Sequence, residues 1–133
     1  EYYPVNASQI VQEDISLEQM VPHMHLRGKD MRIWAKYPDG KSEELLRVPN
    51  YDFNWQTFYE FHEPKMIPKG TELIAKAHYD NSRNNPFNPD PTKEIRFGLP
   101  TTDEMMFAFY MYTVNDEELS AYDPSYEENP STD

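Results

Sequence analysis

Residues 71–80, Thr-Glu-Leu-Ile-Ala-Lys-Ala-His-Tyr-Asp, alternate with a period of two and so specify a strand with one buried face. Leu73, Ala75, Ala77 and Tyr79 fall on one side, with Ile74, Lys76 and His78 on the other. A helix would scatter those four apolar residues around its axis; a pleated strand keeps them in line. The stretch follows Pro68-Lys69-Gly70, a turn made of a residue with a fixed φ and one that tolerates positive φ. The same logic repeats upstream. Residues 31–37 set Ile33, Ala35 and Tyr37 against Arg32 and Lys36, Pro38-Asp39-Gly40-Lys41 turns the chain, and residues 42–48 return as a hairpin partner.

Further strands are expected at 15–25, in the aromatic-rich stretch 51–61, briefly at 94–97, and in the long apolar run 105–114, which is expected to be buried. Residues 81–92 form a loop dense in Asn and Pro. That loop offers side-chain oxygens but lacks the ligand spacing of a calcium-binding loop, so a Pro/Asn turn loop is its reading. With twelve Pro, four Gly and almost no helical periodicity, the expected fold is all-β, an antiparallel, jelly-roll-like β-sandwich. At 133 residues the chain is one domain in size. It divides into a polar segment at 1–14, irregular or an edge strand, a sandwich at 15–114, and an acidic tail at 115–133 that is solvated unless it lies along a partner.

The charge balance narrows the function classes. A formal net charge of -12 repels phosphate, which argues against nucleic acid and against an anionic membrane surface. No run of eighteen apolar residues exists, so no transmembrane segment is expected in this chain. The absence of Cys removes disulfides, thiolate metal sites and Cys nucleophiles. The chain opens at Glu1 without Met, and an upstream segment or domain is expected to have preceded it.

The candidate chemistry lies in His23-Met24-His25, which holds two of the four His. On an extended strand a His-x-His pair puts both imidazoles on one face, about 7 Å apart at the backbone, within reach of a single metal ion. Alone, the pattern fits a surface or structural pair as well as it fits a metal site. His78 on its alternating strand and Met105 at the head of an apolar strand are further candidate ligands. For these the bland readings are a hydrogen-bonded, partly buried His and a core Met. Imidazoles combined with a thioether suit copper better than zinc or calcium. His62, in Phe61-His62-Glu63, reads as structural.

His23-Met-His-Leu-Arg-Gly-Lys29 together with Thr102-Asp-Glu-Met-Met106 resembles the C-terminal copper domain of the type II, ascorbate-dependent copper monooxygenases. That is the family of dopamine beta-monooxygenase and the peptidylglycine alpha-hydroxylating monooxygenase. Tyr51-Asp-Phe-Asn-Trp-Gln-Thr57 and Ala77-His-Tyr-Asp-Asn81 look similar to bacterial members, and the likeness extends over about residues 15–114. The resemblance implies one copper ion, held by His23, His25 and Met105, at the oxygen-activating site. It also implies an electron donor, ascorbate or another, and an extracytoplasmic setting, periplasmic or secreted.

Three departures from the family follow. Animal members carry a disulfide at the positions of Ala77 and Met106, both non-Cys here. If Ala77 and Met106 face each other, period two sets His78 and Met105 on a common opposite face, so His78 is expected to line the copper site as a fourth ligand or a hydrogen-bond partner. The polar residues that anchor a peptide carboxylate in the amidating branch are replaced by Val21, Phe107 and Phe109, which makes such a substrate unexpected. The family's second copper domain, with its three His, does not fit in these 133 residues, so electrons are expected from an additional domain or a protein partner. Two functions compete: the oxygen-activating half of a copper monooxygenase, and a non-catalytic copper-binding or structural subunit of a larger redox assembly. A metal-free interaction domain is the least favoured reading.

Overall fold

A computed structural model describes residues 2–116. Seven strands account for its regular structure: β1 (Tyr2–Ile10), β2 (Ile15–Met24), β3 (Gly28–Lys36), β4 (Ser42–Val48), β5 (Tyr59–Ile67), β6 (Glu72–Asp80) and β7 (Met106–Val114). No helix occurs among the described residues, and none is therefore long and apolar enough to cross a membrane. The strands form two antiparallel sheets, β1-β6-β3-β4 and β5-β2-β7, which pack as a β-sandwich.

Alternation decides what goes between the sheets. Leu73, Ala75, Ala77 and Tyr79 of β6 are buried, as are Met31, Ile33 and Ala35 of β3. From the other sheet Ile15, Leu17, Met20 and Met24 of β2 meet them. Burying a side chain the size of Leu17 is worth about 1.5–3 kcal/mol. Both turns read from the sequence form. Gly40 and Gly70 each adopt φ of 86°, a conformation that favours glycine. Asp39 Oδ1 accepts the Lys41 N–H at 3.0 Å in the first turn, and Pro68 O accepts the Thr71 hydroxyl at 2.7 Å in the second.

Three sequence expectations meet a different outcome. The stretch 51–58 is a loop, with Asp52 Oδ1 accepting the Asn54 N–H at 2.8 Å, and the strand begins only at Tyr59. Residues 94–97 contribute one parallel bridge, Phe97 to Glu104, rather than a strand. β7 is an edge strand among the described residues and exposes Phe107, Phe109 and Met111 instead of burying them. Of the alternatives for the N-terminal segment, the edge strand is the one that forms: β1 pairs with β6 from Tyr2 to Ile10. Most of the acidic tail, residues 117–133, lies outside the described residues.

Every connection except β3–β4 passes from one sheet to the other. This topology brings the crossing at 25–27, the loop 49–58 and the long crossing 81–105 to one end of the sandwich, where they touch.

Candidate metal centre

His23 lies near the end of β2 on the outward face of the three-stranded sheet, and His25 follows just past the strand's last residue. His23 is half-buried and His25 is buried, 4% exposed. Their rings stand 5.3 Å apart between centroids and nearly perpendicular, at 87°. The two rings meet at one corner of the molecule, His23 from the strand and His25 from the first residue of the crossing that follows it.

Each ring has its Nδ1 engaged. His25 Nδ1 lies 3.2 Å from the Asp103 carbonyl oxygen. A carbonyl only accepts, so that nitrogen carries the proton and Nε2 keeps its lone pair. His23 Nδ1 lies 2.6 Å from Gln56 Oε1. Gln56 Nε2 donates to Phe53 O at 2.9 Å, which fixes the amide with its oxygen toward the imidazole. Both histidines thus hold the tautomer that leaves Nε2 free to ligate, oriented by the other ring nitrogen as metal-bound imidazoles are.

The backbone between them is clamped. The Tyr51 hydroxyl accepts the Met24 N–H at 2.9 Å and donates to the Met24 carbonyl at 2.8 Å. β5 pairs with β2 only as far as Met20, so the hydroxyl stands where a strand partner is missing. Pro22 is tolerated for the same reason: it shares Met24's direction, and its absent N–H would have faced the unpaired side. Burial raises the Tyr51 pKa, which keeps the hydroxyl a donor. Gly28 closes the corner. A Cβ there would stand 2.6 Å from Met24 Cβ and 2.9 Å from Tyr51 Cδ1.

Met105 joins this corner through its backbone, its carbonyl accepting the His25 N–H at 3.2 Å. Glu104 beside it is buried, its Oε1 without a hydrogen-bond partner among the described residues, and burial raises its pKa. Phe107 and Phe109 flank His23, each with its ring centroid 6.4 Å away.

His78 is not brought to this corner. Ala77 and Met106 do both face the space between the sheets, yet they belong to different sheets. Facing across a sandwich, they send their neighbours to opposite outer surfaces, whereas the common-face expectation needed β6 and β7 in one sheet. His78 lies on the outer face of the four-stranded sheet. Its Nδ1 is 2.7 Å from Asp30 Oδ1 and its ring stacks on Tyr2 at 4.7 Å. His62, on β5, is exposed.

Among the described residues no three His, Cys, Asp or Glu side chains converge as a metal site. The donor set at the corner is two imidazoles with a thioether on the adjoining segment, a combination that fits copper. Tyr51, Gln56 and Arg27 were missed from the sequence as parts of the corner. The roles of the first two depend on the path of the 49–58 loop, which sets Tyr51 against Met24 and Gln56 against His23.

Comparison with known proteins bears on the same residues. Residues 4–128 match the family described as copper type II ascorbate-dependent monooxygenase, C-terminal domain. The chain is similar to DBH-like monooxygenase protein 1 of Gallus gallus, 30% identical over 91 residues that make up 68% of this chain and 14% of that protein. The same protein of Mus musculus is 31% identical over 91 residues, again 68% of this chain and 14% of that protein. DBH-like monooxygenase protein 2 of Mus musculus is 27% identical over 100 residues, 74% of this chain and 15% of that protein. The chain therefore spans only a small part of the length of these relatives.

Proposed function

The chain belongs to the copper type II, ascorbate-dependent monooxygenases as a C-terminal domain, and we propose that its His23–His25 corner is the mononuclear copper site of such an enzyme. The ligands are His23 and His25, through Nε2, and Met105, through its sulfur. The observation that carries this reading is the pair of tautomers. Both Nδ1 atoms face oxygens that accept, so both Nε2 lone pairs are available at one corner.

A copper ion bound there supplies one-electron and oxygen chemistry. The chain's own contribution is geometric: Tyr51 fixes the backbone between the imidazoles, and Gln56 and Asp103 fix their orientation toward an ion that His23, His25 and Met105 would hold. His78 is left out of the ligand set, because it is held by Asp30 and Tyr2 on the far sheet. Electrons come from ascorbate or another donor through a further domain or a partner chain. The setting is extracytoplasmic, periplasmic or secreted, as the family resemblance implies. The apolar Phe107 and Phe109 beside His23 disfavour a peptide carboxylate as substrate.

The test is a copper titration followed by oxygen uptake. One copper per chain, lost in the His23→Ala variant, together with ascorbate-dependent oxygen consumption is the expected result. Copper bound at that stoichiometry with no oxygen uptake, even when an electron-delivering domain is supplied, would turn the assignment to a non-catalytic copper-binding subunit. No copper bound at all would sink both readings.

A further inference from the structure

Strand pairing does little to hold the segment that carries Met105. β7 begins only at Met106, and the one ladder contact before it is the Phe97–Glu104 bridge. Glu104 is held there by two backbone hydrogen bonds, its N–H to Arg96 O at 3.0 Å and its carbonyl to the Gly98 N–H at 3.1 Å, while the carbonyls around it rest on the three residues that follow Met24. The His25 N–H donates to Met105 O at 3.2 Å and the Leu26 N–H to Thr101 O at 3.5 Å. His25 Nδ1 donates to Asp103 O, and the Arg27 guanidinium donates through Nη1 to Thr102 O, the shortest contact of the four. Four carbonyls of residues 101–105 thus rest on donors from residues 25–27.

Arg27 reaches further than the other two. It is 1% exposed, among the most buried side chains of the described residues. Its Nε donates to Asn81 Oδ1 at 2.9 Å and its Nη2 to Asp90 O at 3.3 Å. Its own carbonyl accepts the Asp80 N–H at 2.8 Å. Asn81 in turn accepts from Asn88 Nδ2 at 2.8 Å and donates to Lys93 O at 3.0 Å. Desolvating a buried guanidinium is costly, an effect the nearby Asp90 and Asp103 carboxylates offset only in part, and a methionine in its place would leave its three acceptors without a donor. What the fork provides and an apolar chain cannot is simultaneous attachment to three segments, because its five N–H donors are set in a rigid plane.

We propose that Arg27 is a positioning residue for the metal centre: its guanidinium braces the Met105 segment against the His23–His25 strand and ties both to the 81–90 loop, so the thioether arm is set before a metal arrives. The proposal rests on the copper reading above for the identity of the arm, but the brace is a property of the metal-free chain. Among the described residues Arg27 hydrogen-bonds through its side chain to Asn81, Asp90 and Thr102 and to no ligand side chain. It acts on Met105 through Thr102, three residues upstream, and on the corner through its own backbone.

Two measurements on the full chain test this, with the Arg27→Met and Arg27→Lys variants. The first is amide hydrogen exchange without metal. In Arg27→Met the amides of His25 and Leu26, which donate to Met105 O and Thr101 O, and those of Asp103 and Glu104, which donate to Pro100 O and Arg96 O, are expected to exchange about tenfold faster or more, while the β6 amides before Asp80 keep their protection. The second is copper(I) binding read by X-ray absorption. The sulfur contribution is expected to weaken while both imidazoles remain, with affinity falling about 10–100-fold, the usual effect of removing a group that orients a ligand. Arg27→Lys keeps the charge but not the fork and is expected to fall between, and it decides the matter should Arg27→Met fail to fold. Wild-type exchange at the His25, Leu26, Asp103 and Glu104 amides in the variants would overturn the proposal, as would an unchanged sulfur signal. A wild-type protein that binds copper(I) without sulfur would instead remove the copper reading, and the exchange data would still decide the brace.

Discussion

At the scale of single residues, one hydroxyl outside the proposed ligand set holds the corner: Tyr51 brackets the backbone of Met24, between His23 and His25. The spacing of the two histidines is visible in the chain, although only His23 lies on the strand and His25 follows its last residue. Tyr51 is invisible in the same sense. It acts 27 residues away, through backbone atoms of Met24, and its function depends on β5 ending its pairing at Met20. The tautomers are equally hidden, since they follow from which oxygens the folded chain sets opposite each Nδ1. Tyr51→Phe tests the clamp directly. It removes one hydroxyl and leaves a buried N–H and a buried carbonyl without partners, which costs on the order of 1–3 kcal/mol. The variant is expected to melt several degrees lower and to bind copper about tenfold more weakly, because the two imidazoles lose their fixed separation. A thermal melt and a copper(I) competition titration read the two effects separately. A melting temperature within a degree of wild type would mean that the hydroxyl does not hold the strand.

At the scale of elements, the period-two segments were legible and the connections were not. β6 and the β3–β4 hairpin fall where alternation and the Pro-Asp-Gly turn set them. The aromatic stretch 51–58 misled because Tyr, Phe and Trp favour strands, yet Asp52 and Asn54 within it make a turn that ends any ladder. Sheet membership misled more deeply. Alternation says which residues share a face of one strand, but not which sheet a strand joins, and that choice is made by long-range pairing. For β6 and β7 it separates His78 from Met105, since the strands lie in different layers. His78 is instead a partner of Asp30 on β3 and Tyr2 on β1, pinning the edge strand β1 to its sheet. His78→Ala is therefore expected to leave copper affinity within about twofold of wild type. It should cost less than about 1 kcal/mol of stability, as a partly exposed pair does. Isothermal titration with copper(I) and a urea melt check both. A tenfold loss of affinity would mean that the imidazole reaches the metal and that β6 approaches the corner in solution.

For the whole molecule, two electrostatic effects oppose each other as pH falls. The formal charge of -12 repels itself at neutral pH, and protonating carboxylates relieves that repulsion, so acidification from pH 7 should first stabilise the fold. Against this stand carboxylates whose pKa folding has lowered. The one that matters most to the architecture is Glu43 of β4. It takes a hydrogen bond from Lys65 of β5 at 2.6 Å and another from the Tyr37 hydroxyl at 2.8 Å. β4 and β5 are edges of different sheets, so this pair links the two layers. The Lys65 contact, and then that of Tyr37, hold the Glu43 pKa below its ordinary value. A depressed carboxylate contributes stability that is present above its unfolded pKa and is lost as pH falls through the folded one. Both partners are at least a third exposed, so solvent screens the pair to about 0.5 kcal/mol. Stability is therefore expected to rise modestly from pH 7 to about pH 5, then to fall below about pH 4, where carboxylates in the unfolded chain take up protons. Urea melts at pH 7, 5.5, 4 and 3, repeated with added salt, read this out. Salt should raise the midpoint at pH 7 by screening self-repulsion and should flatten the rise toward pH 5. Glu43→Gln should lower the midpoint at pH 5.5 slightly and make the acid limb shallower, because the link it removes is one that acid would have broken anyway. A midpoint that falls steadily from pH 7 downward, at low salt, would show that the surface charge does not strain the fold and that pairs such as Glu43–Lys65 dominate throughout.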